Sequence, residues 1–185
     1  MGQDFDIGQD IVKVLFTREQ IERRAAELGA QISRDYAGRT LLVVCILKGA
    51  AFWMAELAQH ITIPCEFDFM AVSSYGSQAK SSGVVRFVKD LSMDIEGRDV
   101  LVVEDILDSG VTLKYLLKNL KSRRPSSLEV AILLRKEGVQ QEPLACRYEG
   151  FSAPDEFIVG FGLDYAERYR QLPYIGVLDP KVYEK

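Results

Sequence analysis

The order of apolar and polar positions predicts strands and helices that alternate along most of the chain. Continuous apolar runs are typical of strands buried on both faces, and shorter runs bounded by polar residues also favour strands. Such runs predict strands at residues 41–47, 66–72, 84–88, 100–103, 128–134, 157–159 and 175–178. Apolar residues that recur every three or four positions predict helices at about 17–32, 49–60 and 113–120.

This alternation predicts an α/β fold, with a mostly parallel twisted sheet flanked by helices. Thr17 and Gln20 form the capping-box pattern that starts a helix. No repeat or linker divides the chain, so we predict a single domain over residues 1–185, with a core at about 17–140. The terminal segments, about 1–16 and 141–185, carry only short strands and turns and are expected to form a small cap, or hood.

The most informative segment is 100–120, VLVVEDILDSGVTLKYLLKNL. An apolar strand runs into two carboxylates, Glu104 and Asp105, and a polar turn then opens a helix. Ligands of open α/β sheets bind beyond the carboxyl ends of the strands, and consecutive backbone N–H groups at a helix start bind phosphate. Adjacent carboxylates repel each other unless cations or hydroxyls pair with them. The segment therefore predicts a sugar phosphate with a vicinal diol, together with Mg²⁺.

Charge and composition narrow the classes of partner. A net charge of −4 over 185 residues argues against a nucleic-acid partner or an anionic membrane surface. No apolar run approaches the ~18 residues that cross a bilayer, and the acidic start MGQDFDIGQD is unlike a signal peptide. The three cysteines form no CxxC pair, and the single histidine, His60, cannot build a histidine-rich metal site. We expect a cytoplasmic protein in which these residues are structural.

The segment VVEDILDSGVT at 102–112 resembles the phosphoribosyl-pyrophosphate (PRPP) signature of type I phosphoribosyltransferases. Leu47-Lys48-Gly49 resembles the pyrophosphate-binding loop of the hypoxanthine-guanine branch, where the Leu-Lys peptide bond can be cis. Lys136 matches a purine-binding lysine, and Arg170 an arginine that reaches pyrophosphate. Two further segments, FIVG at 157–160 and LDY at 163–165, resemble the base-binding segment. The run SSGVVRFVKDL at 81–91 is closest to the bacterial members.

The resemblance implies a purine salvage enzyme that transfers the 5-phosphoribosyl group from PRPP to hypoxanthine or guanine, giving IMP or GMP and pyrophosphate. It implies Mg²⁺ as the cofactor and a homodimer or homotetramer as the assembly. The implied ligands of the 5′-phosphate and ribose are Glu104, Asp105, Asp108, Ser109, Gly110, Val111 and Thr112. Those of pyrophosphate are Lys48, Gly49 and Arg170, and those of the purine are Lys136, Phe157, Ile158 and Asp164. The start of a mobile lid over 73–83 is assigned to Ser73, Ser74, Tyr75 and Gly76.

The sequence leaves alternative roles open for several of these residues. Asp108 is the implied general base and is also expected to be the N-cap of the following helix. Asp164 serves either the purine or, beside Glu104 and Asp105, a metal ion. Lys136 alone would be read as a surface lysine, and Phe157 alone as a core residue. A PRPP-binding regulatory protein is the alternative function on the same fold, and a receiver domain is the alternative on a different one. A receiver domain has no use for a phosphate-binding turn after Asp108.

Overall fold

Strands and helices alternate in the computed structural model, which describes residues 7–74, 85–140 and 144–184. A short 3₁₀ helix, Ile7–Asp10, comes first. The strands are β1 (Ile11–Phe16), β2 (Leu41–Leu47), β3 (Cys65–Ser74), β4 (Val85–Lys89), β5 (Asp99–Leu107), β6 (Ser127–Lys136), β7 (Tyr148–Ala153), β8 (Ile158–Val159) and β9 (Ile175–Leu178). The helices are α1 (Arg18–Asp35), α2 (Ala50–Ala58), α3 (Val111–Ser122) and α4 (Pro180–Tyr183).

The larger sheet has the strand order β4-β3-β2-β5-β6-β7. All neighbouring pairs are parallel except β3 and β4, which are antiparallel. The predicted mostly parallel sheet is therefore confirmed. β3 continues through Ser74, so Ser73 and Ser74 belong to a strand and not to a loop as the sequence predicted. The other two residues assigned to the start of the lid, Tyr75 and Gly76, lie outside the described residues.

The two faces of this sheet carry different helices because successive side chains of a strand point to opposite sides. On one face, Val43 and Leu101 pack with α1 and α2 in one core cluster. On the other face, Val44 and Val102 pack with α3 in a second cluster. Each apolar side chain buried in this way stabilises the fold by about 1.5–3 kcal/mol. The central strands are thereby held rigidly from both sides, and with them whatever their ends carry.

The start of α1 confirms the capping box. The Gln20 N–H donates to Thr17 Oγ1 at 3.4 Å, and the Thr17 N–H donates to Gln20 Oε1 at 2.8 Å. The three cysteines are free thiols, and burial raises the pKa of Cys45 to about 12. His60 follows α2 and lies 3.7 Å from the Glu56 carboxylate. None of the helices in the described parts of the chain has the length and hydropathy to cross a bilayer.

The smaller sheet has the order β1-β9-β8, and its strands are antiparallel. It forms the predicted hood from the two terminal parts of the chain. Its own core consists of four buried residues, Val159, Tyr169, Leu172 and Leu178. β7 also comes from the terminal range assigned to the hood, yet it is the edge strand of the larger sheet. The hood brings residues 157–170 to the larger sheet, where they complete one side of a cleft.

Candidate active site

The carboxyl ends of three parallel strands meet at one edge of the larger sheet. β2 ends beside Lys48, β5 ends one residue before Asp108, and β6 ends at Lys136. β5 is longer than predicted: Glu104 pairs with Ile132, and the ladder continues to Leu107. The two acidic residues therefore lie within the strand and not after it. The polar side chains at 104 and 105 had suggested the end of the strand. Hydrogen bonding of the β5 backbone with β6 instead continues the strand through them.

The loop after β2 is held against the acidic pair. The Leu47–Lys48 peptide is cis, and Gly49 is the N-cap of α2. A Cβ added at Gly49 would lie 1.5 Å from Asp105 Oδ2, and one added at Gly162 would lie 2.1 Å from the Gly49 carbonyl oxygen. Gly49 is thus enclosed between a carboxylate of the larger sheet and a loop of the hood. Glycine at these two positions allows β5, the loop after β2 and a loop of the hood to approach within contact distance.

Glu104 and Asp105 form a partly buried acidic pair. Glu104 Oε1 accepts a hydrogen bond from the Asp105 N–H at 3.1 Å, and Asp105 Oδ1 accepts one from the Ile106 N–H at 2.7 Å. Burial, and then the negative charge of Asp105, raise the pKa of Glu104 well above its usual range. Burial also raises the pKa of Asp105. A divalent cation or a pair of hydroxyl groups would relieve this arrangement.

The predicted third metal ligand, Asp164, is engaged elsewhere. Asp164 Oδ1 lies 2.7 Å from Arg170 Nη2, and Asp164 Oδ2 accepts from the Glu167 N–H at 3.0 Å. No group of three or more metal-binding side chains occurs within the described ranges. The three carboxylates therefore do not form one cluster. Mg²⁺ commonly uses one or two carboxylates together with substrate oxygens and water, so Glu104 and Asp105 alone fit it.

Replacing Glu104 by glutamine is expected to stabilise the ligand-free protein at neutral and alkaline pH. A carboxyl whose pKa is raised by folding stabilises the fold below the unfolded pKa, and this contribution is lost as pH rises through the folded pKa. Glu104→Gln removes the charge and keeps an acceptor for the Asp105 N–H. We expect a gain of about 1 kcal/mol near pH 8, or roughly 2–4 °C in Tm for a chain of this size.

Thermal unfolding of the ligand-free protein, followed by circular dichroism at several pH values, measures this effect. The gain should shrink as pH falls through the raised pKa of Glu104 and disappear below about 4, as the carboxyl becomes protonated in the unfolded chain as well. Glu129→Gln on β6 removes a carboxylate that lies 3.5 Å from Arg147 Nη1, away from the acidic pair, and serves as a control for loss of a single carboxylate. A Glu104→Gln protein that is less stable than the wild type at every pH contradicts the prediction.

The turn between β5 and α3 ends in a glycine. Gly110 has φ of 81° and is the N-cap of α3, and no side chain of the described residues caps this end. The expectation that Asp108 is the cap was therefore wrong, because the helix begins at Val111. The first N–H groups of a helix have no partner within it, so Val111 and Thr112 offer donors at this end.

A cavity of about 300 Å³ lies between the strand ends and the hood. It brings together the four residues predicted for the purine and two of those predicted for PRPP. Its lining is formed by Asp105, Ile106, Asp108, Lys136, Phe157, Ile158, Leu163 and Asp164. The larger sheet supplies Asp108 and Lys136, and the hood supplies Phe157 and Asp164. The cavity is therefore built by both sheets.

Phe157 and Lys136 each have a partner outside this cavity. The Phe157 ring is 36% exposed and stacks on Tyr183 at 4.8 Å, so it is not a core residue. Tyr165 meets it edge-on at 5.4 Å. Lys136 Nζ lies 3.1 Å from Asp155 Oδ1, which leaves two of its three N–H groups for other acceptors. Both side chains are thus fixed in position at the cavity wall.

The remaining predicted residues meet beside the cavity. Arg170 Nη1 donates to the Gly162 carbonyl at 2.7 Å, and its Nη2 lies 3.5 Å from Glu167 Oε2. Lys48 Nζ lies 3.0 Å from the same Glu167 oxygen. Two cations from distant parts of the chain therefore share one carboxylate. The described site combines a glycine turn that opens a helix, a carboxylate pair, a cationic pair and a cavity of suitable size for a flat heterocycle.

The family of the chain is decided by a match to a family model: residues 12–166 match the model described as phosphoribosyl transferase domain. The chain belongs to the phosphoribosyltransferase family. The match covers most of the chain, including every strand of the larger sheet. It confirms the resemblance seen in the motifs and excludes the receiver domain considered from the sequence.

Similar proteins extend this assignment. The hypoxanthine-guanine phosphoribosyltransferase of Mycobacterium tuberculosis (strain ATCC 25618 / H37Rv) is 55% identical, over 95% of this chain and 90% of its own. The enzyme of the same name from Bacillus subtilis (strain 168) is 49% identical, over 95% and 97%. A solved hypoxanthine phosphoribosyltransferase from Staphylococcus aureus has a TM-score of 0.94 at 45% identity, covering 100% of both chains. This similarity confirms the α/β fold class.

Three residues of this phosphoribosyltransferase site were missed from the sequence. Ile106 lines the cavity although nothing in the sequence sets it apart from other apolar strand residues, whereas Leu163, which also lines it, lies in the LDY segment that resembles the base-binding segment. Asp155 and Glu167 pair with predicted site lysines, and their turns carry no recognisable motif. Alternation along β5 gave no signal for Ile106, because its side chain packs with the cluster that contains Leu101 and Val103.

Proposed function

We propose that the protein transfers the 5-phosphoribosyl group of PRPP to hypoxanthine or guanine, giving IMP or GMP and pyrophosphate. The observation that carries this proposal is the cavity that presents Asp108, Lys136 and Phe157 together, beside the acidic pair and the turn at α3. The relatives named above are transferases of this kind, which favours an enzyme over a PRPP-binding regulatory protein.

PRPP would lie along the carboxyl edge of the larger sheet. The N–H groups of residues 109–112 would donate to the 5′-phosphate, since a helix start favours anions. Glu104 and Asp105 would accept from the ribose hydroxyls. Lys48, Gly49 and Arg170 would hold the pyrophosphate, because two cations and a backbone N–H can neutralise its charge as it leaves. Mg²⁺, held by the acidic pair together with substrate oxygens, would supply additional neutralisation of the pyrophosphate charge.

The purine would fill the cavity with its face against Phe157. A lysine ammonium can only donate, so Lys136 would select a 6-oxo group and disfavour the 6-amino group of adenine. Backbone groups near Ile158 and Asp164 would read the opposite edge of the ring. Asp108 would accept the ring proton, at N7 or N9, as the new bond to the ribose forms. The proton thus passes from the purine to a carboxylate that already lines the cavity.

Water must be kept from the ribose while its anomeric carbon carries positive charge, since hydrolysis would waste PRPP. Of the lid proposed for residues 73–83, the part that follows β3 would serve this purpose when it closes. The cytoplasmic location and the homodimer or homotetramer also stay predictions, and light scattering of the purified protein would determine the assembly.

Incubation with PRPP, Mg²⁺ and one purine at a time tests the proposed function directly. Nucleotide formation is followed by absorbance or chromatography with hypoxanthine, guanine, xanthine and adenine. We expect turnover with hypoxanthine or guanine and little with adenine. If no 6-oxopurine is converted, the proposed function is wrong.

Removal of the purine-selecting lysine should affect one substrate only. Lys136→Ala loses a charged donor to the 6-oxo group, which is worth about 1.5–3 kcal/mol, so we expect the KM for hypoxanthine to rise about 10–100-fold. The KM for PRPP should change little. Steady-state kinetics with each substrate varied in turn measures both values, and Lys118→Ala, on the exposed side of α3, is the control. A change mainly in the KM for PRPP would mean that Lys136 binds a phosphate group of PRPP and not the purine.

A further inference from the structure

Lys48 and Arg170, the two cations proposed to bind pyrophosphate, both form ion pairs with Glu167, a residue that no sequence motif had indicated. Lys48 Nζ and Arg170 Nη2 lie 3.0 and 3.5 Å from a single oxygen, Glu167 Oε2. Lys48 and Glu167 are 119 residues apart in sequence. Their contact is produced by the packing of residues 164–168 of the hood, here called the hood loop, against the loop after β2.

The backbone of the hood loop fixes the position of this carboxylate. Ala166 and Glu167 have φ of 49° and 64°, in the left-handed region that non-glycine residues seldom adopt. Reciprocal hydrogen bonds of 3.2 and 3.0 Å between Tyr165 and Arg168 close the turn around them. The Glu167 N–H is also held by Asp164 Oδ2 at 3.0 Å. Such a conformation persists only where surrounding contacts impose it.

The charges of this cluster balance. Lys48 and Arg170 contribute two positive charges, and Asp164 and Glu167 contribute two negative charges. Without the Glu167 carboxylate the cluster would carry an excess positive charge. A ligand with several oxyanions, such as pyrophosphate, can supply more negative charge to the same two cations than one carboxylate does. The two anions would compete for the same donors.

We propose that Glu167 is an internal substitute for the pyrophosphate group, which occupies Lys48 and Arg170 when the site is empty and is displaced when PRPP binds. This inference rests on the proposed function for the roles of the two cations. Glu167 therefore weakens the binding of PRPP and of pyrophosphate, because each must first take the cations from it. After transfer, return of the carboxylate to the cations favours departure of the pyrophosphate product.

The test compares two glutamates that make similar exposed ion pairs. Glu167→Gln keeps the shape of the side chain and removes its charge. Glu96→Gln does the same at a pair with Arg124, whose atoms are 2.8 Å apart and which has no part in the site. We expect the KM for PRPP and the inhibition constant of pyrophosphate to fall about 2–5-fold in Glu167→Gln, the range of an exposed ion pair. The KM for hypoxanthine should not change, and Glu96→Gln should match the wild type.

A KM for PRPP that is unchanged or higher in Glu167→Gln overturns the inference, since the carboxylate would then not compete with substrate. Calorimetric titration with magnesium pyrophosphate needs no turnover and separates this inference from the proposed function. If the wild type converts no purine, the proposed function fails, yet tighter pyrophosphate binding by Glu167→Gln would still support competition. Equal pyrophosphate affinity in the two proteins, or no binding to either, would overturn it.

Discussion

Asp108→Asn is expected to lower kcat by about 10²–10⁴-fold, the usual contribution of a positioned base, with the KM for PRPP little changed. Asparagine has the shape of aspartate, so the cavity shared with Lys136 and Phe157 should be retained. Its amide cannot accept the purine ring proton, so the transfer must proceed without a base from the protein. Single-turnover measurements at saturating PRPP report this step without the contribution of product release.

A matched replacement at an exposed aspartate provides the control for Asp108. Asp94 accepts a hydrogen bond from the Glu96 N–H at 3.0 Å in a surface turn, so Asp94→Asn should leave kcat at the wild-type value. Since Gly110 and not Asp108 caps α3, the loss of charge at Asp108 should also leave the helix intact. An Asp108→Asn protein with normal kcat would show that the proton is taken up elsewhere.

Gly49→Ala is expected to reduce kcat/KM for PRPP by about 10²-fold or more, because a displacement of about 1 Å at a reacting site has effects of this size. The φ of −58° at Gly49 suits alanine, so the backbone itself is not strained. The added Cβ would instead lie 1.5 Å from Asp105 Oδ2. Either the carboxylate or the loop must move, and both moves separate the proposed ribose and pyrophosphate ligands.

Gly38→Ala is the control for the steric argument at Gly49. Its φ of +76° makes alanine unfavourable there, but an added Cβ would meet nothing within 4 Å. It should therefore cost some stability in thermal unfolding and leave the kinetic constants unchanged. Wild-type kcat/KM in Gly49→Ala would mean that the contact between Gly49 and Asp105 has no role in catalysis.

Much of the larger sheet could be predicted because its information is local. The bounds of β2 match the apolar run at 41–47, and the capping box at Thr17 is formed as expected. β7, with the sequence YEGFSA, was missed because it has no apolar run and gains its strand conformation by pairing with β6. The extension of β5 through Asp105 was missed for the same reason. Pairing partners, and not side-chain polarity, decide these positions.

The candidate site divides in a similar way. Asp108 lies in a turn that is visible in the sequence, and Lys136 was assigned through the family resemblance; both line the cavity. Asp155 and Glu167 were not found, since each contributes through an ion pair with a residue on a distant segment. A charged residue in a turn resembles any solvated surface residue until the fold supplies its partner.

The pairing of β9 between β1 and β8 has a consequence for synthesis on the ribosome. A chain that emerges in order completes the strands that lead to the proposed PRPP ligands first, since β2, β5 and β6 all end by residue 136. β1 emerges before all of them but has no neighbour in its sheet until residues 175–178 follow. A nascent chain can therefore assemble the sheet edge proposed to bind phosphate well before the hood residues proposed to bind the purine, and transfer activity should begin only when β9 has left the exit tunnel.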